Sequence, residues 1–263
     1  MSMLAAGVAL AACGRGDELS SDTSRDNGEA LAATVRRVPQ GPAYTTMAAL
    51  DSAGQVRGVV QLEGAPPADT VIHPTADQVV CGSGFTRRGI ERRGAQAAGV
   101  IIWIEGIRSG KPLPLERRFE ITNDRCLLVP EIQTAVAGGT LNLRSLDRVE
   151  HRTRIVHRDG GEVLATIRET DEGQVVPNER VLARPGILEL TCEVHGWTHG
   201  WIAVFDHPYF ATSGADGSFA MDSVPPGRYR IRAWYPRLRP VIDSITVTAG
   251  HVTQVALRVA AEQ

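Results

Sequence analysis

The run Cys192-Glu193-Val194-His195-Gly196-Trp197-Thr198-His199-Gly200-Trp201 puts one thiol and two imidazoles within eight residues. It lies between the apolar-alternating Gly186-Ile187-Leu188-Glu189-Leu190-Thr191 and the strand-like Trp201-Ile202-Ala203-Val204-Phe205. In a strand, side chains two apart share a face, so Leu188, Leu190 and Cys192 point one way and Glu189 and Thr191 the other. The thiol therefore faces the core at the end of its strand. The same alternation in His151-Arg152-Thr153-Arg154-Ile155 turns His151, Thr153 and Ile155 inward together. The ring-rich turn is either a metal site or a polar loop, and the rest of the chain bears on which.

Working outward, the sequence from Gly54 on is a series of short β-type runs separated by Gly, Pro, Asp and Asn, with almost no helical periodicity. That pattern predicts an all-β protein built from sandwiches or barrels. At 263 residues, 43% hydrophobic and with a net charge of -2, the chain is long enough for more than one compact unit. The balanced charge offers no basic field, and no nucleic-acid partner is expected. The first residues form a short apolar run ending in Leu10-Ala11-Ala12-Cys13-Gly14, which resembles a bacterial lipoprotein signal. The resemblance implies a signal over 1–13, a lipid on Cys13 and a place on the periplasmic side of the cell envelope, with the membrane reached through the lipid alone. The alternative is a stray cysteine in an apolar tail. Residues 14–50 are polar and aperiodic at first and read as a flexible tether. In an oxidising compartment Cys81 and Cys126 are expected to pair, closing a loop that stabilises the fold by about 4 kcal/mol; otherwise they are two buried thiols.

Two family resemblances organise the body. Gly54-Gln55-Val56-Arg57-Gly58-Val59-Val60 with Gly64-Ala65-Pro66-Pro67, and far downstream Thr212 to Tyr229 with Pro225-Pro226-Gly227, resemble the carboxypeptidase regulatory-like (transthyretin-like) β-sandwich. Between them, residues 117–206 resemble a plastocyanin- or amicyanin-like cupredoxin: Phe119-Glu120-Ile121-Thr122 as a first strand, the stretch from Val129 to His151, and the Cys192 loop. The resemblance implies a Greek-key cupredoxin-like sandwich at 117–206 inserted in, or packed beside, a discontinuous sandwich of 51–116 and 207–263. Cys81–Cys126 would then staple host to insert.

The cupredoxin resemblance further implies one copper ion held by His151, Cys192 and His195, with Asp147 pinning the approach to His151. Thiolate sulfur and imidazole nitrogen are the donors copper prefers. Thr198 stands where the family has an axial Met, which leaves the ion three-coordinate or open to water. His199, one residue on, would make the site tetragonal if it turned inward. Zinc is the competing ion, with His199 or Glu193 as fourth ligand. The function implied is one-electron transfer or copper handling with a redox partner protein of the envelope. No zincin helix, nucleophile elbow, phosphate loop or dinucleotide fingerprint is present in the sequence, so no substrate turnover is expected. The reading from another class is a metal-free adhesion or carbohydrate-binding module with a glycan partner, Trp103 and Trp201 being expected to pack in the core.

Overall fold

Strand alternation decides the architecture. The computed structural model describes residues 43–50 and 52–262, and nearly every regular element among them is a β-strand; the single helix is the four-residue Gln78–Cys81. No helix among the described residues is long and apolar enough to cross a membrane. Cys13 and the residues expected to form the signal and most of the tether lie outside the described residues.

The inner sandwich stacks two sheets. One has the order Ile132–Val136, His199–Phe205, Gly186–Cys192, His151–His157, Glu162–Glu169. The other runs Leu127–Val129, Arg118–Asp124, Thr140–Ser145, Val175–Asn178. Two neighbouring pairs are parallel, Arg118–Asp124 with Thr140–Ser145 and Ile132–Val136 with His199–Phe205, so the chain must cross between sheets rather than meander. The burial of Thr140–Ser145 alternates strictly, and Leu141, Leu143, Ile155, Leu188, Leu190 and Ile202 fill the space between the sheets.

The outer sandwich is assembled from both ends of the described chain. Its four-stranded sheet orders Phe210–Thr212, Ile101–Glu105, Gly227–Trp234 and Val241–Val247. In the facing sheet Gly54–Glu63 lies beside Val252–Ala261 in parallel, with Ser218–Val224 on its other side. Val56, Ile102, Ile104, Ile231 and Leu257 are among its core residues. The spaced glycines of the opening run have a steric cause: a Cβ on Gly58 would stand 2.3 Å from the Val255 carbonyl oxygen and 2.7 Å from the Phe219 ring. Between the sandwiches, Ile101, Ala203, Phe205 and Trp234 form a third apolar cluster, joined by the half-buried Trp103 and Trp201.

The described end of the stretch expected to be tether, residues 43–50, is tied to the body. Thr45–Thr46 pairs with Ser109–Gly110, and Tyr44 packs on the outer core with its hydroxyl donating to the Lys111 carbonyl, 2.6 Å.

Candidate metal centre

Two strand ends and one turn bring the donors together. His151 opens its strand with its ring fully buried. Cys192 closes the neighbouring antiparallel strand, opposite Thr153. His195 follows in a tight loop closed by Thr198 N–H donating to the His195 carbonyl, 2.8 Å, and Cys192 N–H to the Thr198 carbonyl, 3.3 Å. Cys192 Sγ lies 3.9 Å from His151 Nδ1 and 3.6 Å from His195 Nδ1, and the two Nδ1 atoms are 3.2 Å apart.

The opposite edge of each ring is held by a carboxylate. His151 Nε2 is 2.9 Å from Asp147 Oδ2, and His195 Nε2 is 3.1 Å from Asp77 Oδ2. An ionised carboxylate only accepts, so each imidazole, once neutral, keeps its proton on Nε2 and presents an Nδ1 lone pair to the shared space. Two lone pairs and a sulfur facing one another are unfavourable unless a cation or shared protons stand between them. Donors on one ion, at about 2.0 Å for nitrogen and 2.3 Å for sulfur, are roughly 3.3–3.7 Å apart, so the observed triangle fits a single bound metal.

Asp147 has a second task. Asp124 pairs with Leu127, so Arg125 and Cys126 form a two-residue hairpin, with φ of 50° and 59°. Such turns favour Asn-Gly, and neither residue is glycine here. The Asp147 carboxylate receives both turn N–H groups, from Arg125 at 2.7 Å and Cys126 at 2.8 Å. Burial pushes its pKa up, but the bonds from His151 and these amides outweigh it and leave the carboxyl below its ordinary value.

The electrostatics favour a thiolate. Burial raises the Cys192 thiol, yet hydrogen bonds with His151, His195 and backbone N–H groups bring it down to about 5. Burial lowers His151, and Asp147 and Cys192 more than reverse this, raising it to about 9. Across the sheet from His151, the buried Glu169 is pushed up to about 7, burial outweighing the nearby imidazole and the bond from Asn123, 2.7 Å.

The remaining expected residues fall into place differently. Thr198 is fully buried beside the loop, and its hydroxyl donates to the Cys126 carbonyl, tying the Cys192 loop to the hairpin. His199 does not join the three donors: it stacks on Trp201, ring centroids 6.2 Å apart, and lines a surface recess with Arg87, Glu131 and Tyr235. The strand begins at His199, and alternation puts it on the face opposite the buried Gly200. Cys81 and Cys126 are joined in a disulfide, as expected. Asp77, Asn123 and Glu169 were not anticipated. Asp77 comes from a segment 118 residues from His195, and no local pattern links the two. Glu169 carried a usable signal, since it ends a strand whose burial alternates with Ile167.

The family that matches, over residues 184–255, is described as polysaccharide lyase family 4, domain II. Among curated proteins, none matches the chain. Among solved structures, part of this chain is similar to a Cu-containing nitrite reductase from Thermus scotoductus SA-01, with 19% identity and a TM-score of 0.30 over 39% of this chain. This chain covers 24% of that one. A novel purple cupredoxin from Nitrosopumilus maritimus is 18% identical over 33% of this chain and 99% of its own, with a TM-score of 0.28. Amicyanin from Paracoccus versutus is 14% identical over 35% of this chain and 85% of its own, also at 0.28.

Proposed function

We propose that the protein holds one copper ion through His151 Nδ1, Cys192 Sγ and His195 Nδ1, for one-electron transfer or copper handling in the cell envelope. The observation that carries this is the donor triangle of 3.2–3.9 Å with both rings oriented by carboxylates. Copper, when bound, supplies a one-electron couple. The chain's own residues keep the thiol ionised, hold both imidazoles in the Nδ1-donor tautomer and exclude bulk water, since Cys192 is 3% exposed and both histidines are fully buried. Thr198, whose hydroxyl donates to the Cys126 carbonyl, offers a hard oxygen and not a soft fourth donor. On this reading Cys13 anchors the protein to the membrane, and its acceptor or donor is a redox partner in the same compartment.

The test is titration of the purified protein with Cu(II). An intense visible thiolate-to-copper band at one equivalent is expected, and it should vanish in Cys192→Ser. A colourless protein that takes up zinc at the same three residues would replace copper with zinc.

A second reading, a metal-free glycan-binding module, draws support from the polysaccharide lyase domain match and from a cleft of about 450 Å³ at the seam. Trp103, Glu105, Arg158, Arg232 and Trp234 line it. Quenching of tryptophan fluorescence by oligosaccharides, with no copper band, would favour this reading.

A further inference from the structure

The disulfide is a neighbour of the centre. Both of its sulfurs lie within 4.8 Å of a His195 ring nitrogen, and the Cys126 sulfur lies within the same distance of a His151 ring nitrogen and the Asp147 carboxylate. Cys81, Cys126 and His195 are all buried. The bond also joins the two parts of the chain that hold the rings. Cys126 gives its N–H to Asp147, which orients His151, and its carbonyl accepts from Thr198, which closes the Cys192 loop. Cys81 ends the helix Gln78–Cys81, and the residue before that helix, Asp77, binds His195 Nε2. Arg87, just beyond, donates to the Trp197 carbonyl of the same loop. One covalent bond thus fastens the segment that caps His195 to the hairpin that positions the centre.

We propose that the Cys81–Cys126 bond is a redox latch over the centre, and that its dithiol form, with His195, is a second site that takes up a soft monovalent ion such as Cu(I). The latch role rests on the copper reading of the His151–Cys192–His195 set; the dithiol site does not. A dithiol reductant attacks one sulfur, the S–S bond breaks, two electrons and two protons end on Cys81 and Cys126, and the reductant leaves as its own disulfide. Binding of the ion then displaces the two thiol protons. Two thiolates and an imidazole are a soft donor set, suited to Cu(I) and poorly suited to hard cations. As a disulfide the same sulfurs are weak donors, and Asp77 stays clamped on His195.

The experiment uses full-length Cys192→Ser, which lacks the sulfur of the first centre. The disulfide form and a phosphine-reduced, desalted, anaerobic form compete for Cu(I) with bicinchoninate. The reduced form is expected to hold one equivalent at least 100-fold more tightly, and adding Cys81→Ala should abolish the difference. Equal affinity of the two forms overturns the dithiol site. Alkylating the reduced Cys192→Ser protein gives the same readout should Cys81→Ala fail to fold, and near-UV circular dichroism checks each form. For the latch, the Cys81→Ala/Cys126→Ala variant with Cys192 present, which has neither the bond nor the dithiol, should surrender the ion of the first centre to the chelator at least tenfold faster than the disulfide form; equal rates overturn it. A missing thiolate-to-copper band in the disulfide form would refute the first centre, and the Cys192→Ser comparison would still decide the second.

Discussion

The two sandwiches are filled by opposite means. The outer core is filled by apolar side chains, and the hydroxyl of its fully buried Tyr209 donates to the Ser223 carbonyl. The inner one buries a polar cluster at one end, Asn123, Ser145, Asp147, His151, Thr153, Glu169, His195 and Thr198, and His157 at the far end of the His151 strand, whereas outside the inner sandwich His207 and Ser213 are the buried polar or charged residues among the described ones. Asn123 Oδ1, Thr153 Oγ1 and Glu169 Oε1 find no hydrogen-bond partner among the described residues. Burying such groups costs about 1–3 kcal/mol each when they are left unpaired. A scaffold that needed only to fold would be more stable with Leu or Val at these positions. The contrast teaches that stability was built in one half and chemistry in the other.

Three changes would break or sharpen that contrast. The largest effect on stability is expected in the outer core: Ile231→Ala should cost about 3–4 kcal/mol by urea denaturation while leaving copper affinity within twofold. A matching loss of affinity would mean that the halves are not separable. Next comes Asp147→Ala, which orphans two buried hairpin amides and frees the His151 ring. It should cost about 3 kcal/mol and, unlike Ile231→Ala, weaken copper binding by roughly 10–100-fold. The smallest effect is expected of Glu169→Gln. The folded pKa of Glu169 is raised to about 7, so the folded state holds its proton longer than the unfolded one, and stability falls as pH rises from about 4.5 through about 7. The amide cannot ionise, so the variant should gain about 2 kcal/mol at pH 8 and nothing at pH 4, measured by thermal melts of the metal-free protein. A gain of equal size at both pH values would show that packing, not charge, sets the effect.

What the sequence disclosed and what it hid divide along physical lines. Period-two alternation placed His151 and Cys192 inward, because a strand's facing is a local property. The loop from Cys192 to His195 was legible for the same reason, its geometry being closed by its own backbone bonds. Asp77 was hidden because it reaches His195 across the two sandwiches, by a contact that only the tertiary fold creates. His199 was misleading: adjacency to Thr198 made it a candidate ligand, but one step along a strand reverses the facing. Thr198 was read from its position alone, and its bond to Cys126 depends on a hairpin far away in the chain. The disulfide pairing followed from compartment and elimination; its closeness to both imidazoles did not.

The parallel pairing of Gly54–Glu63 with Val252–Ala261 sets an order of events as the chain emerges N-terminus first into its folding compartment. The first strand of the outer sheet emerges early and must wait for almost the rest of the chain before its partner is made. Residues 118–205, by contrast, contain every strand of the inner sandwich and emerge as a finished set. The donors of the centre, His151, Cys192 and His195, are therefore synthesised and can be assembled while the outer sheet is still open and Val252–Ala261 is unmade. Long-range pairing is the slow step in β-proteins, and here it falls last. The unpaired edge of Gly54–Glu63 is the part of the nascent protein most exposed to wrong partners, which makes it the segment a chaperone has most reason to cover.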